Sequence, residues 1–135
     1  MILPDLLDEI WGVLEGIPGL NVSDDGPGSG SGATPAPALE LPDITYGQYG
    51  PGLDSIPELG LVVVFGPANN ERVYREALEA ASTSGARSVP AALAAHDWTS
   101  CHTLRVARAE PMTIERRAGS LALAYTFVLE ITGAP

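Results

Sequence analysis

Lysine is absent from this chain of 135 residues, and no basic residue of any kind precedes Arg72. A protein that grips a nucleic-acid backbone needs a basic footprint, and the first half of this one offers none. Cysteine occurs once, at Cys101. That excludes an intramolecular disulfide framework and a cysteine-rich zinc module. Charged residues make up only 18%, few for a globular domain. No apolar run approaches the length of a bilayer span. Residues 1–10 hold Asp5, Asp8 and Glu9 without a base. They do not read as a secretory signal, so a cytosolic setting is expected.

What is present is acid, unevenly spread. The formal net charge is −10, and all seven basic residues are arginines. Residues 1–71 contain eleven acids and no base, whereas residues 72–135 contain six acids and seven arginines. One half is strongly anionic and the other nearly neutral. The length suits one domain over residues 1–135, able to bury about two-thirds of its unfolded surface.

The apolar pattern predicts a helix over residues 3–15, with Pro4 in its first turn and Gly16, Pro18 and Gly19 ending it. Residues 20–23 could form a short strand. Residues 26–37, rich in glycine, serine and proline, read as a flexible loop. It lacks the Lys-Ser/Thr ending of a phosphate loop. Residues 38–47 read as a strand interrupted by Pro42, hence an edge strand or a bulge. The run Leu61-Val62-Val63-Val64-Phe65 predicts a strand at residues 58–66 buried on both faces. A helix capped by Asn69 or Asn70 should run to Ser82, with Val73, Tyr74, Ala77, Leu78 and Ala81 as its apolar stripe. Ser88 should cap a shorter helix ending near Ala95. Strands are expected at residues 103–109 and 112–117. A long closing strand, residues 121–132, should turn its large side chains toward the helices. The fold class that follows is α+β. It is a two-layer sandwich with a mainly antiparallel sheet of about four to five strands, covered by two to three helices.

Reactive residue types gather in one place only, His96-Asp97-Trp98-Thr99-Ser100-Cys101-His102. A Cys–His pair there would be a nucleophile with its base, or part of a metal site. Neighbours on an extended chain point to opposite faces, and no further histidine or cysteine exists. No cofactor or metal is expected, and the chain does not read as an enzyme.

Several segments together carry a resemblance. The start Met1-Ile2-Leu3-Pro4-Asp5-Leu6-Leu7 opens a helix that closes on Ile17-Pro18-Gly19-Leu20. Tyr46 and Gly50-Pro51-Gly52-Leu53-Asp54 precede the strand ending Phe65-Gly66. A helix then leads into Ser82-Thr83-Ser84-Gly85-Ala86-Arg87-Ser88-Val89-Pro90, followed by Thr103-Leu104-Arg105-Val106 and the closing strand. Over nearly its whole length the chain resembles the tail terminator proteins of long-tailed phages, particularly those of actinobacterial hosts. The resemblance implies a small α+β sandwich forming a six-fold ring in the virion neck. Such a ring caps the head-proximal end of the tail tube, stops its polymerisation and meets the head-completion or connector proteins. DNA passes through it without specific binding, and no membrane is involved.

The implied partners are further copies of the chain, the tail tube protein and the head connector. A ring needs one patch to meet a different patch on its neighbour. Candidates for subunit or tube contact are Tyr46, Tyr49, Leu53 and Asp54 in one loop, with Arg105, Arg108, Arg116 and Arg117. Asp24, Asp25, Asp43, Asp54 and Glu58 are candidates for an acidic lumen or docking rim. There like charge would let DNA slide rather than stick. Three alternatives stand beside this: another head-completion or connector protein of the neck, which composition does not separate from a terminator; a stand-alone small-molecule or peptide-binding domain on the same sandwich; and a hydrolase built on Cys101, His102 and Asp97.

Overall fold

A computed structural model describes residues 1–24, 26, 33–46, 54–115 and 119–133. Its elements run α1 (Leu3–Glu15), β1 (Ala36–Leu39), β2 (Ser55–Pro67), α2 (Glu71–Ala81), α3 (Val89–Ala95), β3 (Thr103–Glu115) and β4 (Leu121–Thr132). The strands form one open antiparallel sheet in the order β1-β2-β4-β3. With three helices this is the expected α+β arrangement, at the lower end of the strand count. The closing strand β4 is central, paired on both sides, so its alternation is the strongest strand signal in the chain.

The core lies between the helices and one sheet face. Leu6, Ile10, Trp11 and Leu14 of α1, Val73, Ala77 and Ala80 of α2, Val89 and Leu93 of α3, and the sheet residues Leu59, Leu61, Val63, Phe127, Leu129 and Ile131 belong to one buried cluster. Asn70 caps α2 through its side-chain oxygen, which accepts the N–H groups of Arg72 and Val73. Ser88 caps α3 in the same way through Ala91.

Several expectations shift. Residues 20–23 form no strand; instead Asn21 N–H bonds the Pro35 carbonyl and the Trp11 indole bonds the Ser23 carbonyl. β1 covers residues 36–39 rather than 38–47, and Pro42 lies beyond it. It is an edge strand, where Pro37 leaves no ladder hydrogen bond unmet. β2 is not buried on both faces: Leu59, Leu61, Val63 and Phe65 are buried, but Val62 and Val64 only half so. The helices pack on one side alone, so a continuous apolar run here alternates in burial. β3 is one strand through Pro111 rather than two. It too is an edge, and a bulge between Val106 and Arg108 bends it.

The stripe on α2 is also narrower than its pattern. Val73, Ala77 and Ala80 are buried, whereas Tyr74 and Leu78 remain exposed. On the wet side of α2 the i,i+4 pairs Glu71–Arg75 and Arg72–Glu76 form at 3.1 and 3.2 Å, whereas Arg75 and Glu79, at the same spacing, do not pair. Glu79 turns instead toward Arg87, 3.8 Å away. On β4, Phe127, Leu129 and Ile131 reach the core, but Leu123 and Tyr125 are half-buried and Leu121 is exposed. The helices cover only part of the large-residue face.

Candidate functional site

The His96–His102 turn is bound to α1 by Glu9. The Glu9 carboxylate accepts the N–H groups of Thr99 at 3.1 Å and Ser100 at 2.9 Å, and lies 2.7 Å from His96 Nε2. Burial alone would raise its pKa; the hydrogen bonds from His96, Thr99 and Ser100 outweigh that and hold it at about 2. Glu9 was legible in the sequence only as a helix-favouring acid, because its partners lie some ninety residues away.

Cys101 sits in the core cluster. Burial, and then the nearby negative charge of Glu9, push its thiol up to about 11. The thiolate needed for nucleophilic attack or metal binding is therefore suppressed at neutral pH. His102 is exposed, and its N–H bonds the Thr132 carbonyl. Trp98 packs edge-on against His96 and donates its indole N–H to the Leu93 carbonyl. Among the described residues, no group of three His, Cys, Asp or Glu side chains is placed to hold a metal ion. The arrangement is a structural clasp.

Two of the four candidate arginines, Arg105 and Arg108, are engaged within the chain. Arg105 pairs with Glu130 across the β3–β4 ladder, Nη2 to carboxylate 2.6 Å. Arg108 reaches Glu110 on its own strand and Glu58 on β2, the latter at 3.0 Å. Its side chain thus crosses over β4, where Val128 is its direct partner in register. The hydrogen bonds to Glu110 and Glu58 hold the Arg108 guanidinium above its ordinary pKa. Glu58, an expected rim acid, is therefore one end of this bridge. Asp24 and Asp43 are exposed. Asp54 is half-buried, and its carbonyl accepts the Gly133 N–H. Tyr46 is exposed beside Thr45, whose backbone pairs with Ser55. Asp25, Tyr49, Leu53, Arg116 and Arg117 lie outside the described residues.

Two concave regions stand out. One, about 210 Å³, lies between the end of α1, α2 and the start of α3. Its arginines, Arg72 and Arg87, are each turned to a glutamate. The other, about 370 Å³, runs between α2 and the far half of β3 and β4. Tyr74, Ala77 and Leu78 form one wall; Pro111, Leu123 and Tyr125 form the other. The sequence offered a signal for it that pointed the other way: Tyr74 and Leu78 fit the core stripe by spacing, yet open onto this groove.

Among the described residues, no helix is long and apolar enough to cross a membrane. Comparison of the chain with protein-family models, with curated proteins and with solved structures finds no match.

Proposed function

We propose that the chain is a structural protein of a phage virion. In this reading it forms a ring that caps the head-proximal end of the tail tube, ends tube polymerisation and joins the tail to the head connector. The observation that carries the reading is the architecture. One antiparallel sheet is layered against three helices, the two-layer α+β sandwich that the resemblance in the sequence implies. The site chemistry gives a hydrolase reading little support, since its only thiol is buried and pushed up to about 11. Charge supports the structural reading further. A ring of six chains, each of net charge −10, would be strongly anionic, and an anionic bore would repel rather than retain a polyanion.

Electron microscopy of particles made with a nonsense mutation in this gene tests the proposal. Overlong headless tubes beside DNA-filled tailless heads are the expected result. Tails of normal length that fail to join heads would move the protein to the head side of the neck. Intact particles would overturn the structural reading.

A further inference from the structure

Both edges of the sheet are guarded. β1 is four residues long and contains Pro37; β3 carries a bulge, Pro111, and the charges Arg105, Arg108 and Glu110 along its length. These devices discourage strand-to-strand pairing between chains. Contact between copies must then use side-chain surfaces.

Large apolar side chains left exposed among the described residues fall mainly at the two ends of the sheet. At one end Leu41 and Tyr46 are 97% and 75% exposed. Tyr46 stands beside the Thr45–Ser55 bridge, where Ser55 pairs with Thr132, and Leu41 follows Glu40, whose N–H bonds the Gly60 carbonyl. At the other end Tyr74 and Leu78 are 52% and 44% exposed and wall the 370 Å³ groove. That groove lies level with Leu123, which pairs with Gly66 at the far end of β2. Eleven residues of strand separate Ser55 from Gly66, roughly 35 Å. Leu41 and Tyr46 are open to solvent, whereas the surface at the other end is concave.

We propose that copies of this chain associate head to tail, Leu41 and Tyr46 of one copy seating in the groove between α2 and the β3–β4 hairpin of the next. The proposal deepens the ring reading and rests on it for closure into a ring rather than a filament. Charge selects this pairing over a two-fold one. Leu41 and Tyr46 belong to the half that holds eleven acids and no base, with Glu40 and Asp43 as near neighbours. Packing that end against its own copy would set these carboxylates against one another. The groove residues all come from the half in which acids and arginines nearly balance. Area sets the strength. Two such side chains bury on the order of 300 Å², well below the roughly 800 Å² per partner of a stable complex. Each contact is weak alone and becomes effective when a ring or a tube holds several together.

Cross-linking between separately made variants tests the arrangement. Leu41→Cys protein is mixed with Leu78→Cys protein at roughly millimolar concentration, where weak contacts fill, and then oxidised. Tyr46→Cys with Met112→Cys gives a second pair of positions. All four residues are exposed, so folding is retained, and buried Cys101 does not compete. Mixed dimers exceeding the two homodimers together by about fivefold or more are expected of a heterologous contact. Homodimers in equal or greater yield, or no disulfide from either pair, would overturn it. Mixed cross-links alongside intact particles from the nonsense mutant would remove the virion reading and leave the contact standing. Overlong tails without mixed cross-links would do the reverse.

Discussion

Glu9 and Thr99 stand ninety residues apart and share a hydrogen-bonded turn with Ser100 and His96. With its side chain 14% exposed, the Glu9 carboxylate is better satisfied in the folded state than in water. Its pKa falls from 4.5 to about 2 on folding. A depressed pKa contributes stability that is full above about 4.5 and lost as the pH falls toward about 2. That contribution is on the order of 3 kcal/mol as an upper bound. Glu9→Gln should therefore cost about 1–3 kcal/mol at pH 7. In urea unfolding the gap from the parent protein should narrow at pH 3; a gap that stays constant would assign the loss to shape rather than charge. Cys101 makes a second prediction at this scale. Its thiol, buried and pushed up to about 11, should resist iodoacetamide at pH 8 in the native state and react freely in urea. Rapid native alkylation would contradict the burial.

At the scale of the element, α2 shows why spacing alone overstates a core. Val73, Tyr74, Ala77 and Leu78 share a helical stripe, but only Val73 and Ala77 find sheet beneath them. The far half of the β3–β4 hairpin extends past the helix, so Tyr74 and Leu78 overhang it. Leu78→Ser should change stability by less than about 0.5 kcal/mol. Leu93→Ala, from a fully buried site on α3, should cost about 2–5 kcal/mol. Thermal unfolding distinguishes the two, and similar losses would mean that the groove closes in solution. The caps were legible because their chemistry is local. Asn70 and Ser88 precede their helices and bond amides two or three residues on. Asn70→Ala should lower stability by about 1 kcal/mol. The ends of β1 and β3 were less legible, since proline reads as a break unless the strand is known to lie at an edge.

For the whole molecule, the guarded edges carry a prediction of their own. Replacing Pro111 and Glu110 of β3 together by valine removes two barriers to edge pairing while leaving the core untouched. Light scattering should then show faster concentration-dependent aggregation than in the parent protein. Unchanged solubility would mean that the bulge and the arginines suffice. The same logic explains the cross-strand ion pairs. Arg105 and Arg108 are spent on Glu130, Glu110 and Glu58 within the chain, so they reduce the edge's appetite for partners rather than advertise a basic patch. At this scale the asymmetry of charge and the two separated apolar surfaces favour head-to-tail contact.

Sequence alone determined the helices, the Ser88 cap of α3, the cap of α2 to within one residue, the central strand β4 and the α+β class, because each rests on periodicity or on bonds between near neighbours. It also determined the division of charge, which is a property of composition. Tertiary structure decided which stripes are covered, that the strands bearing Pro37 and Pro111 are edges while β2, with Pro57 and Pro67, is not, and that Glu9 clasps a turn ninety residues away. It decided too that the arginines of β3 are engaged with acids on other strands. The reason is the same in each case: burial and pairing depend on what another part of the chain places opposite a residue, and no local spacing contains that partner.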